Sequence, residues 1–190
     1  MLDFFYNIDV SILFFFNQTL SNPLFDKFFV FITNVKNWYL VYIIFWSLMF
    51  FKGGKKSKLT AVMLILLILA SDQISSHLLK NLISRVRPCH VHQELNLLTG
   101  CLNSFSFPSS HALNNFAAAT FLSLFFNKYK YIFVSAAVLI SISRVYLGLH
   151  YPSDIIGGAA LGFLLGYLFY ILTVKINLLF FKESYYENKA

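Results

Sequence analysis

Lys80, Arg87, Ser109, Ser110, His111, Arg144, His150 and Asp154 are the residues of this chain whose types and spacing point to chemistry. They fall in three short polar islands of an otherwise apolar sequence: residues 80–88 (KNLISRVRP), 108–111 (PSSH) and 143–154 (SRVYLGLHYPSD). Lys80, Arg87 and Arg144 offer one point charge and two planar guanidinium forks, a set that suits the oxygens of a phosphate. His111, His150 and Asp154 are a set that could break one.

Each island has a structural basis. Lys80, Ser84 and Arg87 are spaced by four and three, so they share one face if a helix runs to Pro88, which then ends it. The bland alternative is that Lys80, Arg85 and Arg87 anchor a helix end among lipid headgroups. Residues 108–111 precede an apolar run and read as a helix start. Ser caps well, and the free N–H groups behind it make an anion site. His111 in that first turn would stand beside the anion as a general acid; an interfacial histidine behind a plain cap is the alternative. In the third island, Arg144 lies near a helix end, His150 sits in a tight turn after Gly148, and Pro152 suits the first turn of the next helix. Asp154 can accept one ring N–H of His150 and free the other nitrogen to attack.

The elements that must position these groups are membrane helices. Of 190 residues, 58% are hydrophobic, 19% aromatic and only 12% charged, about half the charge of soluble domains. Apolar runs at 38–51, 59–79, 111–126, 131–147 and 155–174 approach the roughly 20 residues needed to cross a bilayer. The first of them is short and must begin earlier, with Lys36 snorkelling and Trp38 and Tyr39 at the interface. Near the N-terminus, Asp3, Asn7, Ser11 and Gln18 alternate with Phe4, Phe5, Ile8, Ile12 and Phe15, the pattern of an amphipathic interfacial helix, and Asn22-Pro23 breaks it. The expected fold is all-α: a polytopic bundle of about five to six transmembrane helices with an N-terminal amphipathic helix. It forms one domain over 1–190, with 1–34 interfacial or re-entrant and 35–182 the transmembrane core. No signal-peptide pattern is expected, since Asp3 stands where a basic start would be.

Lysines give the orientation. Lys52, Lys55, Lys56 and Lys58 crowd one loop, Lys128 and Lys130 another, and Lys175, Lys182 and Lys189 the C-terminal stretch. If the runs alternate, all three lie on one face, which the positive-inside rule makes cytoplasmic. The three polar islands then meet on the opposite, outer face. The formal charge of +7 is spread between apolar segments, which argues against nucleic acid and for anionic lipid.

Taken together, the islands resemble the tripartite signature of the type 2 phosphatidic acid phosphatase superfamily, K-x6-R-P, P-S-G-H and S-R-x5-H-x3-D, whose members also resemble vanadium haloperoxidases. Every spacing matches, across roughly the C-terminal two-thirds of the chain; Ser110 stands where the family usually has glycine. The resemblance implies that His150 attacks phosphorus, Asp154 orients His150, and His111 protonates the leaving group. It implies that Lys80, Arg87, Arg144, Ser109 and the backbone around Ser110 hold the phosphoryl oxygens, with no metal and no cofactor.

Other groups carry less. His90, His92 and Glu94 form an H-x-H-x-E cluster that reads as a solvated loop rather than a metal site. Cys89 and Cys101 share the outer loop, where an oxidising exterior permits a disulfide; bridged and free are both open. Asp72 lies mid-span, where a charge costs about 2.5–3.5 kcal/mol, and is expected to bond a neighbouring helix. The leading expectation is a metal-independent membrane lipid phosphatase of inner-membrane location, with an outward site and a phosphohistidine intermediate. Undecaprenyl diphosphate or the lipid A 1-phosphate heads the substrates, followed by phosphatidylglycerol phosphate and phosphatidic acid. A silent lipid-binding or transport scaffold, and vanadate-dependent haloperoxidase chemistry, are the competing classes. No obligate protein partner is inferred.

Overall fold

The computed structural model describes residues 2–181; Lys182 and Lys189, which the orientation argument used, lie outside them. Among the described residues the structure is helical throughout, with no strand. The helices are α1 (Leu2–Phe14), α2 (Pro23–Thr33), α3 (Tyr39–Ser47), α4 (Lys55–Gln73), α5 (Lys80–Ile83), α6 (Pro88–Val91), α7 (Ser110–Phe125), α8 (Lys130–Tyr146) and α9 (Pro152–Phe181). A π-helical stretch, Ile74–Leu79, joins α4 to α5 without a break. Asn22 caps α2 by accepting from the Leu24 and Phe25 N–H groups at 3.1 and 3.0 Å, with Pro23 in the first turn.

Among the described residues three helices are long and apolar enough to cross a bilayer: Lys55–Val91, Asn127–Tyr146 and Pro152–Phe180. A fourth candidate is the pair Pro23–Thr33 and Val35–Lys52, bent by 69° where Asn34 caps the second piece. The expected span at 111–126 is present as α7, but its 16 residues cover only about 24 Å. The reason is its surroundings. It packs against α4, α8 and α9, and only Leu124 along it is exposed, so protein rather than lipid covers it.

The seam between α7 and α9 is built from glycine. Gly158, Gly162 and Gly166 recur every fourth residue of α9 and face the backbone of α7. A Cβ on Gly162 would meet the Leu113 carbonyl oxygen and the Ala117 nitrogen, and one on Gly166 the Ala117 carbonyl. Small residues at this spacing let two membrane helices approach to backbone contact. At one end of the bundle Met49, Phe50, Leu59, Phe125, Phe126 and Ile176 pack into one cluster, which gathers the lysine-bearing turns together. The polar islands gather at the other.

Two readings change. The 80–87 stretch is not one helix: it ends at Ile83, and Ser84 takes a left-handed conformation with φ +52°. Ser84 and Arg87 therefore do not share a helical face with Lys80, and Arg87 arrives by an extended segment before Pro88. In α1 and the π-helical stretch Phe15–Thr19 that continues it, the phenylalanines Phe4, Phe5 and Phe15 are exposed as an amphipathic helix requires, but the inward stripe is Asp9, Leu13 and Asn17. Asn17 is buried and donates to the Tyr146 and Asn96 carbonyls at 2.7 and 3.1 Å.

Gly162→Leu is expected to wedge α7 from α9 and destabilise the fold by about 1–3 kcal/mol or more, the range for overpacking. Thermal unfolding in detergent checks this, with Gly54→Ala as the control because nothing lies within 4 Å of a Cβ there.

Candidate active site

The third island is folded around Gly148. With φ +70° it reverses the chain after α8, a conformation that glycine adopts without steric cost. The Leu149 and His150 N–H groups then return to the Arg144 carbonyl at 3.0 and 3.3 Å. This turn sets His150 beside Arg144, and the Asp154 N–H closes the start of α9 on the Tyr151 carbonyl at 3.0 Å. The second island joins through its backbone: the Ser109 N–H donates to the Asp154 carbonyl at 3.1 Å. The first joins through Arg87, whose Nη1 donates to the Leu149 carbonyl at 2.9 Å.

His150 is 2% exposed. Its Nε2 lies 3.0 Å from Arg87 Nη1, and a guanidinium can only donate. Nε2 is therefore the nitrogen with the free lone pair, and Nδ1 carries the hydrogen. That hydrogen faces Asp154 Oδ2 and Ser106 Oγ, each at 3.5 Å. Burial pushes the His150 pKa down to about 3 against the opposing pull of Asp154, so the ring is neutral at physiological pH. A neutral ring with its lone pair held toward a cation is a nucleophile waiting for an electrophilic phosphorus.

Asp154 is fully buried and collects donors on both oxygens. Oδ2 accepts from the Ser106 hydroxyl and from the Tyr151 N–H at 2.9 Å, and Oδ1 from Arg85 Nη1 at 2.7 Å. Arg85 also donates through Nη2 to Asp9 Oδ2 at 2.8 Å and lies over the Tyr151 ring at 4.0 Å. Asp9 in turn takes the Ser153 N–H at 2.8 Å and the Ser153 hydroxyl. One guanidinium is thus divided between two carboxylates, one of them contributed by α1.

The remaining phosphate-binding candidates surround His150. Arg87 is 1% exposed and pinned by Ser104, with Nε to the carbonyl at 2.6 Å and Nη2 to the hydroxyl at 2.9 Å. Arg144 donates from Nη1 to Thr33 Oγ1 at 2.7 Å, while its buried Nε has no partner. Lys80 is buried within electrostatic reach of Arg87 and Arg144. His111 is within such reach of Arg144, His150 and Lys80 and hydrogen-bonds to the backbone at Thr33. Ser109 caps α7, accepting from the Ala112 N–H at 3.4 Å. The Ser110 hydroxyl is taken by Ser75 at 2.7 Å, so its contribution to an anion is limited to its backbone N–H. The structure brings all eight candidates together.

The groups the sequence left unresolved lie in the loop above. Cys89 and Cys101 form a disulfide across a separation of 12 residues. His90 meets the Leu102 carbonyl at 3.1 Å, and His92 packs edge-on to Phe14. Cys89, His90 and Cys101 are close enough to suggest a metal set, but two sulfurs bonded to each other are not thiolate ligands. Asp9, Arg85, Ser104, Ser106 and Thr33 went unremarked as site residues. The only local signal among them is that Arg85 repeats the charge of Arg87 two residues on.

Three cations around a neutral imidazole, with a second imidazole opposite, can hold a phosphoryl group and transfer it to nitrogen. In this arrangement Asp9→Asn leaves Arg85 balanced by Asp154 alone, and the carboxylate is drawn from His150. Turnover is expected to fall about 10-fold, equivalent to ~1.4 kcal/mol in the barrier, with Asp9→Glu recovering part of it. Steady-state phosphate release measured on both variants checks this.

Known proteins resemble this chain in sequence and in fold. The PAP2 superfamily matches residues 61–178 of the chain. A lipid A 4'-phosphatase of Bacteroides thetaiotaomicron is 34% identical over 185 residues, 93% of this chain and 82% of that protein. A lipid A 1-phosphatase of Rhizobium etli is 35% identical over 109 residues, 55% of this chain and 47% of that protein. The crystal structure of the transmembrane PAP2 type phosphatidylglycerolphosphate phosphatase from Bacillus subtilis superposes with a TM-score of 0.74 at 28% identity, over 90% of this chain and 87% of that one. A buried histidine with its lone pair held toward a guanidinium and apolar crossing helices therefore go with a match over most of the chain: it belongs to the PAP2 superfamily and is an integral membrane lipid phosphatase, a hydrolase of lipid phosphate esters.

Proposed function

We propose that this protein removes the 4'-phosphate of lipid A, from the outer face of a bacterial inner membrane, through a phosphohistidine at His150. The observation that carries the mechanism is the His150 ring: Nε2 faces Arg87 at 3.0 Å and Nδ1 faces Asp154. The 4'-phosphatase relative matches 93% of the chain and the 1-phosphatase relative 55%, and this broader match supports the reading at the 4' position. The fold similarity to a phosphatidylglycerolphosphate phosphatase supports a second reading, in which that lipid is the substrate. Undecaprenyl diphosphate and phosphatidic acid stand behind these.

The chemistry follows from the geometry. The phosphate enters among Lys80, Arg87 and Arg144, and Arg87 exchanges His150 for a phosphoryl oxygen. Nε2 forms a bond to phosphorus as the bond to the ester oxygen breaks, and His111 gives its proton to the leaving alkoxide. Asp154 steadies the imidazolium-like ring through Nδ1–H. His111, now neutral, takes a proton from water as the water attacks phosphorus, and the P–N bond breaks to return His150 and free phosphate. Charge that builds on the equatorial oxygens is met by fixed cations throughout. Outward facing of the site rests on the gathering of the lysine-bearing turns at the opposite end, which the positive-inside rule makes cytoplasmic.

The test is phosphate release by purified protein in detergent containing EDTA. Lipid A, phosphatidylglycerol phosphate, undecaprenyl diphosphate and phosphatidic acid are compared, and mass spectrometry locates the phosphate lost from lipid A. Release from lipid A at the 4' position, undiminished by EDTA and inhibited by vanadate, is the expected result. His150→Ala is expected to lose at least about 10³-fold, the scale for removal of a nucleophile that acts as part of a unit. Rapid acid quench with labelled substrate should trap an acid-labile phosphoenzyme in the wild type and none in His150→Ala. No release from any of the four lipids would leave a silent lipid-binding scaffold.

A further inference from the structure

The face of α4 that meets lipid changes character one helical turn above Leu69. Ile65 and Leu69 are exposed on it, at 44% and 57%, and Asp72, three residues on, continues the same face. Asp72 and Gln73 are exposed and Ser76 half-buried. They sit below Lys80 by up to eight residues, about 12 Å along the axis, at a depth where a carboxylate costs about 2.5–3.5 kcal/mol. Hydrocarbon tails give nothing back for that cost.

The strip is built rather than scattered. Asn114 of α7 donates to Asp72 Oδ1 at 3.4 Å and accepts the Ser71 hydroxyl at 2.7 Å. The Ser76 hydroxyl donates to Asp72 at 3.4 Å. The two contacts to Asp72 are longer than usual hydrogen bonds and leave it exposed, with acceptor capacity in hand. The strip also connects to the phosphate cations, since Lys80 lies within reach of the Asp72 charge. On α7, Asn114 follows His111 by one turn, so a leaving group protonated by His111 is next to the strip.

We propose that Asp72, Gln73, Ser76 and Asn114 form a saccharide subsite, which binds the sugar ring that carries the scissile phosphate ester. This rests on the reading above that the enzyme takes phosphate from a lipid through His150 and His111. The chemistry selects the occupant. A prenyl diphosphate offers methylene groups beside its phosphate and phosphatidic acid offers ester carbonyls, neither of which can donate to Asp72, while phosphatidylglycerol phosphate offers a single glycerol hydroxyl. A phosphosugar offers hydroxyl and amide N–H donors to Asp72 and acceptors to Asn114 and Gln73. The subsite makes the sugar, and not the phosphate alone, the basis of substrate choice.

The experiment measures kcat/KM for lipid A and for phosphatidylglycerol phosphate in mixed micelles, using the full chain and its Asp72→Leu and Gln73→Leu variants. Gln73 is exposed toward lipid, so an apolar replacement there favours the folded state and keeps the comparison informative. The ratio of lipid A to phosphatidylglycerol phosphate is expected to fall about 10-fold in each variant, mainly through KM, as loss of one or two hydrogen bonds requires. A ratio within about twofold of wild type, or equal loss on both lipids, overturns the subsite. A ratio that falls only together with a change in oligomeric state assigns the strip to a second copy of the chain and overturns it too. If the wild type hydrolyses phosphatidylglycerol phosphate but not lipid A, the saccharide subsite fails and the lipid phosphatase mechanism stands. If it hydrolyses neither, the reading of the site fails as well.

Discussion

Asp154 is the group on which the site depends. A carboxylate taken out of water costs several kcal/mol unless its oxygens are filled, and here four partners fill or face them. Ser106 comes from the loop between α6 and α7, Arg85 from the segment after α5, the Tyr151 N–H from the turn, and His150 from the same turn. Its own carbonyl receives the Ser109 N–H from the start of α7. Each polar island is therefore held by reference to one residue.

The charge distribution follows the same logic. Lys80, Arg87 and Arg144 gather near His150, and a fourth cation, Arg85, is held by Asp9 and Asp154. Sharing Arg85 between two carboxylates leaves Asp154 less fully claimed and better able to hold the His150 Nδ1–H. The loop bearing Arg87 is fixed at both ends, by the Cys89–Cys101 bridge and by the Ser104 contacts. A planar fork so constrained loses little freedom when a phosphate arrives.

Much of this is legible in the sequence because the chemistry is locally encoded. His150 and Asp154 stand four apart across a Gly148 turn and a Pro152 helix start, and Pro108 to His111 carries its own cap. The family resemblance added roles that spacing alone left open. What was hidden is contact at long range. Asp9 meets Ser153 across 144 positions and Arg85 across 76, and neither contact has a periodic signature. Ser84 adopts a positive φ that serine rarely takes, so the end of the helix before Arg87 could not be read from residue type. The glycines at 158, 162 and 166 were readable, since a four-residue repeat of glycine in an apolar helix predicts a close neighbour. The length of α7 was not, because the span rule assumes lipid on the outside and α7 is sheathed by protein.

That glycine seam has a mechanical meaning. Bilayers thin, thicken and bend, and membrane helices answer chiefly by tilting. Helices in contact through long side chains can tilt separately, with rotamers absorbing the difference. Where the Leu113 and Ala117 carbonyls rest on the glycines of α9, no such compliance exists, and α7 and α9 must tilt as one body. His111 rides on the first turn of α7, and His150 sits two residues before α9. The separation of His111 and His150 is thereby insulated from the elastic state of the membrane.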